Sequence, residues 1–213
     1  MITVVIFDLD GVLVDSQPLQ YQSYNEIFTK YGHPLTKKHW LEWIHHGMDH
    51  KKLIEREKLA IDPNVIHTEK MALYAQLIDS TMLLKPGVKE LINRLVNSQY
   101  RLCIASASRI ESIEQIVKKF NMEASFEYLL SDRDIQFPKP HPHIFLEAAR
   151  LMGVLPEECA VIEDSLTGLK AAKAALMRCI ICPDPWGDEP LPDYTGADVM
   201  VKSLDEVTLE MLR

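Results

Sequence analysis

Short apolar runs alternate with amphipathic stretches along most of this chain. Residues 3–7 read Thr-Val-Val-Ile-Phe and run straight into Asp8-Leu9-Asp10-Gly11. A short, continuous, β-branched run of this kind predicts a strand buried on both faces. Similar runs stand at 102–105, 128–130, 160–162 and 179–182, with a weaker sixth at 199–201. Between them, Val88, Leu91, Ile92 and Leu95 recur at offsets 0, 3, 4 and 7, the spacing of one helical face. Ile110, Ile113, Val117 and Phe120 line a helix in the same way. Strands alternating with helices predict an α/β fold, a doubly wound, Rossmann-like parallel sheet covered on both faces.

One stretch breaks the alternation. Residues 16–81 hold no convincing strand, and about 65 residues is too long for a simple crossover. Tyr24, Ile27, Phe28 and Tyr31 sit at helical spacing, and Gly32 ends that helix. Further helices are expected around 37–44, 49–59 and 63–78. The stretch reads as an inserted α-helical domain, 16–81, set within an α/β core domain made of 1–15 and 82–213. Pro86-Gly87 marks the return to the sheet. Near the end, 183–197 carries four of the twelve prolines and reads as a long ordered loop.

Composition and charge narrow the function classes. With 23 Lys+Arg against 31 Asp+Glu the net charge is −8, which speaks against a nucleic-acid surface. No apolar run approaches the roughly 20 residues of a membrane span. The first residues lack a basic region, and Asp8 and Asp10 interrupt their apolar run, so no signal peptide is expected. Cys103, Cys159, Cys179 and Cys182 read as buried, reduced thiols of a cytoplasmic protein.

In open parallel sheets ligands bind beyond the carboxyl ends of the strands. The first strand ends in Asp8 and Asp10, the second in Ser106-Ala107-Ser108, and the fourth in Glu163-Asp164. Lys139 stands in a Lys-Pro-His-Pro loop before a helix. On the sheet reading these groups share one edge. Four crowded carboxylates would raise one another's pKa values, and a hard cation resolves the repulsion. Mg²⁺ fits, because it is typically held by one or two carboxylates plus a substrate phosphate. A lysine, hydroxyls and a helix N-terminus suit the remaining phosphoryl oxygens.

With these residues in place the chain resembles the haloacid dehalogenase-like hydrolases over its whole length. The resemblance rests on Phe7-Asp8-Leu9-Asp10-Gly11-Val12-Leu13-Val14-Asp15-Ser16, on Ser106, on Lys139-Pro140 and on Glu163-Asp164-Ser165-Leu166-Thr167-Gly168. It implies Asp8 as nucleophile, forming an aspartyl-phosphate, and Asp10 as general acid and then base. It implies Mg²⁺ held by Asp8, the Asp10 carbonyl and Asp164, with Glu163 as a further ligand. Ser106 would bond the phosphoryl oxygens, with Ala107 beside it, and Lys139 would neutralise charge. Cap closure would expel water.

Asp10 speaks for an oxygen leaving group, since relatives that cleave carbon–halogen or phosphonate bonds lack that second aspartate. The resemblance is nearest to the β-phosphoglucomutase-like branch. Its mutases have a His where this chain has Gln20, and a cap Arg where it has His50. Hydrolysis of a small phosphorylated metabolite, such as a sugar phosphate, is therefore favoured over a mutase or a non-catalytic binding protein. His46 and His50 stand at i, i+4 and are read as substrate-facing rather than metal-binding. Asp15 and Ser16 read as the cap of the first inserted helix. Trp40 and Trp43 read as core of the insertion, and Cys179 and Cys182 as buried thiols.

Overall fold

The computed structural model describes residues 1–46, 49–185 and 190–213, with the backbone alone described at 43–46. The chain divides into two compact units, Met1–Asp15 with Leu83–Arg213, and Ser16–Met82.

The first unit is built on six parallel strands. These are β1 (Val4–Phe7), β2 (Arg101–Ser106), β3 (Tyr128–Ser131), β4 (Cys159–Glu163), β5 (Arg178–Ile181) and β6 (Val199–Met200), in the order β3-β2-β1-β4-β5-β6. Every residue of β1 is fully buried, as its unbroken apolar run requires of a central strand covered on both faces. β1 pairs with β2 from Val4↔Arg101 to Phe7↔Ile104, and with β4 from Val4↔Cys159 to Phe7↔Ile162. The chain winds outward from β1 in one direction and then the other. The crevice beyond the carboxyl ends of β1, β2 and β4 is therefore the switch point where open sheets bind ligands. The weak sixth run forms a strand of only two residues.

The covering helices follow the sequence periodicity. In α5 (Val88–Asn97), Val88, Leu91, Ile92 and Leu95 are buried. In α6 (Ile110–Lys119), Ile113, Ile116 and Val117 are buried. Phe120, expected on that face, lies just past the helix as its C-cap. Helices α7 (His143–Met152) and α8 (Leu166–Ala174) complete the unit. The four cysteines are free and buried.

After β1 the chain folds back on itself. Gly11 takes φ +78°, a conformation that favours glycine, and its N–H donates to Val14 O at 2.9 Å. Lys85 N–H then donates to Leu13 O, and Asp15 N–H to Leu83 O, both at 3.0 Å. The returning segment thus clasps the loop that carries Asp8 and Asp10.

The second unit is all-helical: α1 (Gln17–Lys30), α2 (Lys37–His46), α3 (His50–Arg56) and α4 (Pro63–Thr81). Ile27 and Phe28 of α1 and Ile66, Tyr74 and Ile78 of α4 are buried. Trp40 is buried, its ring centroid 5.9 Å from that of Tyr21. Trp43 has its side chain outside the described residues. Ser16 occupies the N-cap position of α1 but makes no side-chain capping bond, contrary to expectation. Its backbone is helical, φ −89° and ψ −24°, rather than in the extended conformation from which a capping side chain reaches the free N–H groups. Among the described residues no helix is long and apolar enough to cross a membrane.

Candidate active site

Asp8 follows β1 directly, and its N–H extends the ladder by donating to Ile162 O at 2.9 Å. Its buried carboxylate meets a buried cation: Lys139 Nζ lies 2.6 Å from Asp8 Oδ1. The same ammonium donates to Glu163 Oε1 at 2.7 Å and to Ala105 O at 2.9 Å. Three acceptors use its three protons. Burial works against the charged lysine, yet Asp8 and Glu163 hold its pKa above the ordinary lysine value. Burial pushes Asp8 up to about 8, against the attraction of Lys139.

Glu163, expected as a further metal ligand, is otherwise engaged. It is the last residue of β4 and fully buried. Oε1 is held by Lys139, and Oε2 accepts from Asp164 N–H at 3.0 Å, Ser165 N–H at 3.1 Å and Ser165 Oγ at 2.9 Å. Burial alone would raise its pKa, but Lys139 and these donors hold it below the usual value. A Cβ built on Gly168 would stand 1.8 Å from Glu163 Oε1, so α8 presses on the carboxylate and admits only glycine there. Glu163 fixes the lysine and the turn into α8.

Asp164 is partly buried, and its pKa stands well above the ordinary value, from burial first and then from Glu163, Asp8 and Asp184. Its main-chain carbonyl accepts from Tyr194 Oη at 2.6 Å. A Cβ on Gly11 would fall 2.3 Å from Asp164 Oδ2, which brings the loop after β1 hard against this carboxylate.

Asp10 is held from β2. Ser108 Oγ donates to Asp10 Oδ2 at 2.6 Å, and Ser106 Oγ stands 3.4 Å from the same atom. Asp10 Oδ1 is buried and without a partner among the described residues. Ser106 is fully buried and accepts from Ser108 N–H at 3.1 Å. Ala107 is exposed, its carbonyl accepting from Arg133 Nε at 3.2 Å. No side chain caps the N-terminus of α6, which follows these serines.

The expected set Asp8, Asp10, Ser106, Lys139, Glu163 and Asp164 thus lies in one unit, at the carboxyl ends of its central strands. The set fits a hard cation: Asp8 and Asp164 are carboxylates pushed upward by burial and then by the acids around them, and Asp10 Oδ1 is an unserved acceptor among the described residues. Among the described residues no three His, Cys, Asp or Glu side chains form a ready-made metal cluster.

His46 and His50 are not on one helix face, because α2 ends at His46 and α3 begins at His50. The His46 side chain lies outside the described residues. His50 is buried in the helical unit, stacked on Tyr24 and His67 with ring centroids 5.8 and 5.6 Å away. Burial lowers its pKa.

Ser108, placed by the sequence at the end of β2, anchors Asp10. Three contributors were not singled out from the sequence. Asp132, buried after β3, has its pKa raised by burial and drawn back by the nearby Lys139. Asp184 and Tyr194 stand beside Asp164. A polar residue just past β3 was a legible signal for Asp132, whereas the proline-rich segment holding Asp184 and Tyr194 has no periodicity to place them.

A buried carboxylate locked to a lysine thus stands at the switch point of a doubly wound parallel sheet, where proteins of this class bind their ligands. Residues 5–182 match the family model described as haloacid dehalogenase-like hydrolase, and the chain belongs to that family. Hexitol phosphatase B of Escherichia coli (strain K12) is 29% identical, over 99% of this chain and 96% of its own. CbbY from Rhodobacter sphaeroides has been solved with phosphate and, as a mutant, with xylulose-(1,5)bisphosphate. These structures match with TM-scores of 0.86 and 0.85 at 27% identity, over 100% of this chain and 99% of theirs. A β-phosphoglucomutase structure from Clostridium difficile shares the fold, with a TM-score of 0.79 at 24% identity over 99% and 95% of the chains.

Proposed function

We propose that this chain is a Mg²⁺-dependent phosphatase of a small phosphorylated sugar or similar metabolite, working through an aspartyl-phosphate on Asp8. The observation that carries the reading is the 2.6 Å contact between Asp8 and Lys139, beside an Asp10 anchored by Ser108. A buried cation opposes the burial that raises Asp8 and favours its ionised, attacking form, while a second carboxyl stands ready to move protons.

Asp8 forms a bond to phosphorus as the bond to the sugar oxygen breaks. Asp10 gives its proton to that leaving oxygen. Asp10, now ionised, takes a proton from water as the water attacks phosphorus and the bond to Asp8 breaks, releasing phosphate. Ser106 Oγ donates to a phosphoryl oxygen. Lys139 balances the charge of Asp8 and the phosphoryl group, and Glu163 keeps Lys139 in position. Asp8, the Asp10 carbonyl and Asp164 would hold Mg²⁺, which when bound supplies charge neutralisation at the phosphoryl oxygens. The sheet unit is the catalytic domain in this reading.

The sugar-phosphate class draws support from what the relatives' names say they act on and bind. The test is phosphate release from a panel of hexose, hexitol and pentose phosphates, with and without Mg²⁺, in wild type and Asp8→Asn. Release that requires the metal and falls on the order of 10⁴-fold or more in the variant is expected. Undiminished release by Asp8→Asn contradicts the mechanism. Isomerised sugar phosphate without net phosphate release would make the chain a mutase instead.

A further inference from the structure

The acids of the site extend past Asp164. Asp184 follows β5, outside the motifs that carry the family resemblance. Its side chain is only 9% exposed. Oδ1 accepts from Lys85 Nζ at 2.6 Å, while Oδ2 is buried and has no partner among the described residues. The Cβ that Gly11 lacks would stand 2.3 Å from Asp164 Oδ2 and 3.0 Å from Asp184 Cβ, so both acids close on the same glycine. The charges that act on Asp184 are those of Lys85, Asp15 and Asp10, and Asp184 in turn acts on Asp164.

A salt bridge made only for stability has no need of a second, buried and unserved carboxylate oxygen, which is costly to keep. It also gains nothing from standing among three more acids. A site that gathers a divalent cation gains from both. We infer that Asp184 is a further positioning residue of the metal site. It adds negative charge and an acceptor oxygen beside Asp164, and Lys85 sets how much of that charge the site feels. The inference rests on the reading of Asp164 as a Mg²⁺ ligand.

The two partners of this bridge should then act in opposite directions on metal affinity. Removing the Asp184 charge weakens Mg²⁺ binding, as outer partners of metal ligands commonly do. Removing Lys85 leaves the Asp184 charge undiluted. A purely structural bridge makes the two variants equivalent, because each breaks the same contact.

The experiment is calorimetric titration of the full chain with MgCl₂ at about pH 8, where free carboxylates are ionised, without substrate. The proteins are wild type, Asp164→Asn, Asp184→Asn and Lys85→Met. Expected are loss of binding in Asp164→Asn, a Kd about tenfold weaker in Asp184→Asn, and a Kd in Lys85→Met at least as tight as wild type. Wild-type affinity in Asp184→Asn overturns the inference, as does equal weakening in both variants. Lys85→Met reports on the charge without altering Asp184, and weaker binding there alone also overturns it. If wild type binds no Mg²⁺, or Asp164→Asn binds like wild type, the metal reading itself fails and the inference falls with it.

Discussion

Strand β2 has an ion pair at each end, and the two share little beyond their distances. At its start Arg101 Nη2 meets Glu127 Oε2 at 2.6 Å, with 42% of each side chain exposed. At its finish Lys139 Nζ bonds Ala105 O and meets Asp8 and Glu163 at 2.6 and 2.7 Å. There the exposures are 6%, 8% and 0%. The first pair sits in water, where solvent and salt screen it and its net worth is small. The second has lost its water. Its charges persist only because each has a partner, and removing one leaves the others stranded. Equal distances therefore mean different things, and burial decides what each pair is worth.

Lys139→Met tests the contrast most severely. It leaves Asp8 and Glu163 facing each other without their cation. We expect a stability loss of about 3–5 kcal/mol by urea unfolding, together with loss of phosphate release. A loss as small as that of a surface pair would break the comparison.

Gly168→Ala comes next. In an ordinary helix interior alanine is favoured over glycine by about 1 kcal/mol. Here its Cβ would meet Glu163 Oε1 at 1.8 Å. The sign should reverse, to a destabilisation of about 2 kcal/mol seen as a lower melting temperature. A rise would show that the carboxylate moves aside freely.

The buried end should also respond to pH. Asp8 at about 8 and the raised Asp164 bind protons more tightly folded than unfolded. Their stabilising contribution is complete below about pH 4 and is lost as pH rises toward about 8. The lowered Glu163 acts oppositely, but only near and below its ordinary value of 4.5. Metal-free protein should therefore be less stable at about pH 8 than at about pH 6, by on the order of 1 kcal/mol. Saturating Mg²⁺ should remove the difference. Denaturant midpoints that stay level across this range without metal would contradict the assignment.

Glu127→Gln should do least. Its cost should stay below about 1 kcal/mol and shrink as salt is added. A larger, salt-insensitive cost would mean that the exposed pair is not exposed in effect.

The same contrast governs how much could be read from the sequence. An unbroken apolar run ends where the strand leaves the sheet, so Asp8, Ser106 and Asp164 could be placed at one edge without coordinates. Strand periodicity did not separate Glu163 from Asp164. The last strand residue points into the protein against α8 and Lys139, and its neighbour stands against Gly11, which only packing reveals. Ser16 was legible as a cap position but not as an inactive one, because its helical backbone is not visible in the residue types. The i, i+4 spacing of His46 and His50 did not reveal that His50 packs inside the helical unit against Tyr24 and His67. Asp184 and Tyr194 stayed hidden because the segment that carries them has neither periodicity nor motif. They reach Asp164 only through the path the chain takes after β5.

The central claim is that Asp8 is phosphorylated and that Asp10 moves the protons. Rapid acid quench of the enzyme with a turned-over sugar phosphate and Mg²⁺, followed by intact-mass and peptide mass spectrometry, tests it directly. One added phosphoryl group is expected on the Asp8 peptide of wild type and none in Asp8→Asn. A phosphoryl adduct that survives in Asp8→Asn, or one found on another residue, would contradict it.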